Sequence, residues 1–302
     1  VDREMMSDLL SYGKPVLAVG DPFQLPPIND KALDPSKADA LLTEVVRQAA
    51  GNPIIALSEQ ARNGLRIKEG NYGNAKVISK QSLSKELLMQ LMLSADQVIC
   101  GLNCTRRRIN KEMREKLGFT DILPEKGDKL ICKSNEYGIM LTQSISLCNG
   151  MTGYAESNAK TAGSSLISLA FKTSLSKQPL RLLSDSSIFT SPDFKYEPHW
   201  LAYKMRDDFY EPKRQLLDEM QLYDRKMWLR LKREEAMNKA ASMGDAAISR
   251  LDYAYAISCH ASQGSEFPFA LVINEADAFR QNASRWLYTA MTRAKEKLVV
   301  IQ

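Results

Sequence analysis

Three short phrases hold the residue types that could handle phosphate: Gly20–Pro27 (GDPFQLPP), Cys259–Phe267 (CHASQGSEF) and Leu287–Lys295 (LYTAMTRAK). In the first, Asp21 and Gln24 follow an apolar run, Val16–Val19, that reads as a buried strand ending at Gly20. The carboxyl end of a strand is where open α/β sheets bind ligands. An amide both donates and accepts, so Gln24 could touch a phosphate oxygen or a water and register its loss. Taken alone, the phrase is equally a proline-stabilised turn. In the second phrase, His260, Ser262 and Gln263 precede Gly264, whose missing Cβ would let backbone approach a ligand. Glu266 could accept the hydroxyls of a nucleotide sugar. A histidine beside a serine is otherwise a hydrogen-bonded core residue, and no nucleophile elbow accompanies it. In the third phrase, Arg293 reads as helical, with Ala290 and Ala294 permitting close packing. An arginine across a cleft from a triphosphate neutralises charge that develops in phosphoryl transfer. The plainer role is bonding the last carbonyls of the helix.

Two more segments carry cations. Leu42–Gln48 (LTEVVRQ) holds Arg47, which could fork two donors onto phosphate oxygens or simply be an exposed helix charge. Val98–Asn110 (VICGLNCTRRRIN) runs from an apolar strand into Thr105, Arg106 and two further arginines at a helix start, a place suited to phosphate contacts. A solvated basic face is the alternative. Five cysteines form no CxxC pair and only two histidines exist, so no metal site is expected and the thiols read as reduced. Nothing reads G-x-x-x-x-G-K-[ST]; Gly13-Lys14 is followed by Pro15.

These residues need elements to hold them. Apolar positions at helical spacing over Leu83–Leu93 precede a short strand at Gln97–Gly101 and a charged helix at Thr105–Leu117. Ala270–Ile273 and Leu298–Ile301 read as strands separated by a helical stretch over Ala283–Lys295. Strands alternating with helices predict a parallel α/β sheet. From Gly127 to about Phe194 the chain is rich in Ser, Thr and Gly with short alternating stretches, which predicts antiparallel strands of a small barrel. Between Pro198 and Ser242, Leu216, Met220, Tyr223, Met227 and Leu231 fall at three- and four-residue steps and predict a long helix. The net charge of +5 permits a polyanionic partner without requiring one. No run of about 18 apolar residues or secretory leader is present, so a cytoplasmic protein without a membrane span is expected.

Taken together, GDPFQLPP, CHASQGSEF and LYTAMTRAK resemble the later motifs (III, V and VI) of superfamily 1 helicases, nearest to the RecD/Dda-like, superfamily 1B DNA helicases. The resemblance implies a RecA-like parallel-sheet motor domain with an inserted SH3-like barrel, which CNGMTG (148–153) would open, and a helical insertion. The implied domains are 1–80 as the end of a first motor domain, 81–126 with 250–302 as the second, and 127–249 as the insertion. By resemblance, Gln24, Arg47 and the finger Arg293 are catalytic, and Gly20, Asp21, Gly264 and Glu266 join them around ATP. Thr105, Arg106, His260, Ser262 and Gln263 would contact single-stranded DNA. The implied cofactors are ATP and Mg²⁺, with the Mg²⁺ ligands outside this sequence. The implied partner is the missing N-terminal motor domain of a monomeric 5′→3′ DNA helicase. Beginning at Val1 and lacking the phosphate loop, the chain is expected to be an inactive C-terminal fragment of that motor. A non-catalytic DNA-binding scaffold, or the helicase subunit of an exodeoxyribonuclease V-like complex, are the alternatives.

Overall fold

A parallel strand covered on both faces needs a continuous apolar run, and the runs before residues 101, 274 and 302 each become one. The computed structural model describes residues 3–21, 23–26, 38–40, 51–162, 166–190 and 246–302. Arg47 and the helix expected over 198–242 lie outside them. The chain begins with α1 (Arg3–Ser11), α2 (Pro53–Arg62), β1 (Gly70–Asn71), β2 (Ala75–Ile78), α3 (Lys85–Ser94), β3 (Gln97–Cys100) and α4 (Asn103–Lys116). Next come β4 (Lys129–Cys132), β5 (Glu136–Met140), β6 (Ser146–Leu147), β7 (Thr152–Ala155), β8 (Lys160–Thr161), β9 (Leu166–Thr173), β10 (Leu180–Asp185) and α5 (Ser187–Thr190). After β11 (Ala246–Ile248) and β12 (Leu251–Tyr253), the chain ends with β13 (Ala256–Ser258), β14 (Phe267–Ile273), α6 (Ala283–Met291) and β15 (Ala294–Ile301). The chain divides into two compact units, one of 1–113 with 255–302 and the other of 114–254. The sequence suggested divisions at 80/81, 126/127 and 249/250.

The first unit holds a six-stranded sheet in the order β1-β2-β15-β14-β3-β13, parallel except for the β1–β2 hairpin. β2, inside the segment assigned by sequence to another domain, pairs with β15. Local chemistry sets the ends of these elements. Asn52 caps α2 by accepting from the Ile54 N–H, and Pro53 occupies the first turn, where no N–H partner is required. Ser84 caps α3 through the Leu87 N–H. The β14–β15 ladder shifts register between Phe267 and Phe269, at Pro268, which has no N–H to give it. The core is built on Val98, Ile99, Leu271, Val300 and Trp286, all fully buried.

Two expectations fail here. Val16–Val19 is coil, not a buried strand, with Leu17 and Val19 each 89% exposed. A strand is stable only with a ladder partner, and none of the described strands lies beside it. The helix expected to run to Lys295 ends at Met291, and Ala294 already pairs with Phe267 as the first residue of β15. Arg293 therefore sits in the turn between helix and strand.

The second unit is antiparallel except where β11 joins β10, in the order β11-β10-β9-β7-β4-β12. Its two edge strands are one bent segment: β11 runs through Ser249 and Arg250 into β12, so the sheet closes on itself. The Ser249 N–H donates to the Leu183 carbonyl at 2.8 Å, and the Lys133 N–H to the Arg250 carbonyl at 2.6 Å. Leu130, Leu147, Phe171 and Leu251 fill the interior, each at 0% exposure. At one end Arg114 forks onto Asp128, at 2.8 Å for both Nε–Oδ1 and Nη2–Oδ2. The same guanidinium donates to the Asp121 and Leu123 carbonyls and lies 4.2 Å from the centre of the Tyr253 ring.

Candidate functional site

The three phrases that opened the sequence analysis meet in the first unit. Asp21 anchors the first: its Oδ1 accepts from the Phe23 N–H at 2.9 Å, a short turn typical of aspartate. Its Oδ2 accepts from Gln24 Nε2 at 3.2 Å and from the Tyr288 hydroxyl at 2.9 Å. Leu25 is 7% exposed and belongs to the core cluster. Its N–H donates to Thr289 Oγ1 at 2.9 Å, and its carbonyl accepts from Gln263 Nε2 at 3.0 Å. Phe23 stacks under Arg62, with the guanidinium carbon 4.0 Å from the ring centre. Residues more than 230 positions apart thus share one hydrogen-bonded junction. Gly20 is exposed, with open space where a Cβ would stand.

The segment after β13 supplies the centre. Cys259 is buried, which pushes its thiol up to about 12, and its N–H donates to the Cys100 carbonyl at 2.9 Å. His260 is half-buried and tilted against Phe279 at 6.0 Å, and Phe279 stacks on Trp286 at 5.5 Å. Burial holds the His260 pKa below its usual value, so the ring is neutral at pH 7. Ser262 is fully buried and its hydroxyl donates to the Cys259 carbonyl at 2.8 Å. That hydroxyl serves a turn. Gly264 has φ +80° with nothing near a would-be Cβ, so glycine answers a backbone conformation there and not a close approach.

Glu266 is partly exposed and reaches Lys295 at 4.0 Å. Next to it, the Phe267 N–H donates to the Arg293 carbonyl at 2.8 Å. The Arg293 side chain is 6% exposed. It donates to the Thr289 and Ser265 carbonyls and to Thr292 Oγ1, each at 3.1 Å. In this state the guanidinium ties the end of α6 to the turn before β14. To reach a triphosphate it would have to exchange some of those oxygens for phosphate.

A third cluster stands at the start of α4. Glu275, two residues past the end of β14, accepts from the Gly101 N–H at 2.7 Å, the Leu102 N–H at 2.8 Å and the Thr105 hydroxyl. A carboxylate on free N–H groups at a helix start is favoured by both hydrogen bonding and the helix dipole. It sits where β3 leads toward β13 and β14 leads toward β15, the crevice of the parallel sheet where the winding reverses. Arg106 is 8% exposed, with Nε 3.4 Å from Asn103 Oδ1. Thr105 and Arg106 both stand at the start of α4, where each is engaged within the protein. Glu275, Tyr288 and Thr289 escaped the sequence analysis. The signal for Glu275 was an acid just beyond the apolar run Ala270–Ile273. Tyr288 and Thr289 stood unused inside a phrase already singled out. Among the described residues no three His, Cys, Asp or Glu side chains group as metal ligands, and no helix is long and apolar enough to cross a membrane.

Residues 253–301 match the family model described as the UvrD-like helicase C-terminal domain. Among solved structures, the chain is similar to the crystal structure of Pif1 helicase from Candida albicans, at 12% identity and a TM-score of 0.42. The match covers 94% of this chain but only 62% of that one. No curated protein matches the chain.

Proposed function

From the match of residues 253–301 to a UvrD-like helicase C-terminal domain, we propose that this chain is the C-terminal part of a superfamily 1 helicase and that the whole protein is an ATP-dependent DNA helicase moving 5′→3′ on single-stranded DNA. The observation that carries this reading is the junction in which Leu25 joins Thr289 and Gln263. A loop able to register phosphate is there bonded directly to the segment that would touch DNA and to the helix that leads into the turn carrying the finger. Loss of a γ-phosphate at Gln24 or Arg293 would be felt at His260 through two or three hydrogen bonds.

In this reading Gly20, Asp21, Gln24, Arg47, Gly264, Glu266 and Arg293 face ATP. Arg293 leaves its carbonyl partners to stabilise charge on the transferring phosphoryl group. Single-stranded DNA lies over the carboxyl ends of β13 and β3, against His260 and the start of α4. The closed sheet of the second unit is the inserted SH3-like barrel of the resembled family. Mg²⁺ would be held by residues outside this sequence, which has no phosphate loop of its own.

The test is anisotropy of a labelled single-stranded oligonucleotide across a salt series, with a parallel DNA-stimulated ATPase assay. Salt-sensitive binding that His260→Ala weakens, without ATP turnover, supports a DNA-gripping half of a motor. Turnover by this polypeptide alone would overturn the division of labour. Absence of binding at low salt would overturn the DNA contacts assigned here.

A further inference from the structure

We propose that a cleft at the carboxyl edge of the parallel sheet, with Arg66 on one wall and Asp277 on the other, binds a guanine base. The cleft holds about 690 Å³, and small-molecule sites span roughly 300–1,000 Å³. Its floor is set by the ends of three neighbouring strands: Ser79 follows β2, Asn274 follows β14 and Gln302 follows β15. Backbone bonds fix that floor. The Asn274 N–H donates to the Ile301 carbonyl at 2.8 Å and the Gln302 N–H to the Ile78 carbonyl at 3.0 Å. One wall is the segment 64–69 after α2, and the other is 276–287, which enters α6. The walls meet at Gly64, where a Cβ would stand 3.5 Å from Ser284 Oγ. The carboxyl ends of parallel strands are where open α/β sheets take their ligands.

The lining carries charges of both signs that stay apart. Among the described residues, neither Arg66 nor Asp277 makes an ion pair or a side-chain hydrogen bond, and the same holds for Glu69 on the wall of Arg66. Leu65, on that wall too, is 59% exposed and offers an apolar surface inside the cleft. A phosphate would meet one guanidinium and two carboxylates, so the lining does not favour an anion. A simple cation would meet Arg66, and no three acids group here as metal ligands.

A neutral, flat molecule with donors on one edge and acceptors on the next satisfies both walls. Guanine is that molecule among the bases. Its adjacent N1–H and N2–H groups fork onto a carboxylate, and its O6 and N7 accept the fork of a guanidinium. Its ring face covers apolar surface such as Leu65. Adenine, cytosine and thymine lack the paired donors. The cleft uses none of the residues assigned above to ATP or DNA, so it stands or falls apart from the helicase reading.

The test is calorimetric titration of the full chain with guanosine, adenosine and guanosine monophosphate. Guanosine should bind at least about ten-fold more tightly than adenosine, as charge-assisted hydrogen bonds allow. The monophosphate should bind no better than guanosine. Asp277→Asn should weaken guanosine about ten-fold and strengthen adenosine, because an amide pairs bidentately with adenine. Arg66→Ala should weaken guanosine to a similar extent. Both side chains are exposed, so the variants should melt as wild type does. Labelled oligo(dT) with and without one central dG separates the two sources of the base. Tighter binding of the dG strand by wild type, lost in Asp277→Asn, supports the site with a base of a single strand as occupant. Guanosine binding with equal affinity for the two strands supports it with the free nucleoside as occupant. No guanosine binding together with equal strands would overturn the site. Guanosine affinity unchanged in Asp277→Asn would overturn the base assignment, and tighter binding of the monophosphate would overturn it in favour of an anion site. The guanosine arm needs neither DNA nor ATP, so its failure leaves the helicase reading intact, and loss of oligo(dT) binding leaves the cleft intact.

Discussion

Thr289→Val is the substitution that most directly tests the junction. Thr289 is fully buried, accepts the Leu25 N–H at 2.9 Å and donates to the Arg285 carbonyl at 2.7 Å. Valine keeps the shape but cannot accept, so a buried N–H is left without a partner. Such a loss costs about 1–3 kcal/mol. The Arg285 carbonyl loses only a supplementary donor, which adds little. If the loop stays docked, the whole cost falls on the first unit, and a melt followed by circular dichroism should drop by roughly 2–12 °C. If instead the 20–26 loop detaches, global stability holds and the Leu25 amide loses its hydrogen-exchange protection. Thr289→Ser retains the acceptor and should behave as wild type in both measurements. Gln263→Ala removes the other bond to Leu25, and combining it with Thr289→Val should cost less than the sum, because either change alone already loosens the same loop. An unchanged melt with full Leu25 protection in Thr289→Val would refute the claim that this bond couples the phrases.

Asp128→Asn should destabilise the second unit by about 3 kcal/mol, because the buried Arg114 would lose its bidentate anion and keep Glu125 at 3.9 Å; urea denaturation of the full chain measures it. His260→Ala should weaken DNA binding at pH 7.5 without changing the salt slope, since a neutral ring displaces no counterion. With a folded pKa below the unfolded value near 6.5, His260 resists protonation in the native state. Its contribution to stability is complete above that value and is lost as pH falls from it through the lower folded pKa, so His260→Gln should flatten the acid limb of a stability–pH profile. Among the thiols, Cys104 is exposed and should react first with a disulfide reagent. Cys100 and Cys259, pushed up to about 12 by burial, should react only on unfolding.

Much of the first unit could be read from its residues because periodicity is local. α3, β3, α4, β14 and β15 fall within a few residues of where apolar spacing placed them. The strand ends then put Thr105 and His260 beyond the carboxyl ends of β3 and β13, whereas Glu266 precedes β14 at its amino end. The same reasoning failed at Val16–Val19, where the apolar run was correct for a strand but no neighbouring strand exists among the described residues to complete it. It also failed at Ala294, where pairing with Phe267 outweighed a good helix former.

The sequence by itself determined which side chains are of a type suited to phosphate, where the main helices and strands of the parallel sheet lie, and that no G-x-x-x-x-G-K-[ST] phrase occurs among its 302 residues. Only the tertiary structure decided what those residues face. Glu275 reaches the start of α4 across 174 positions, Leu25 reaches Thr289 across 264, and Arg293 turns to carbonyls and not to open space. The reason is physical: backbone preference acts over a few residues and leaves its mark in local spacing. Hydrogen bonds, charge pairs and sheet register are instead chosen among distant groups, once burial has removed the water that would otherwise have satisfied them.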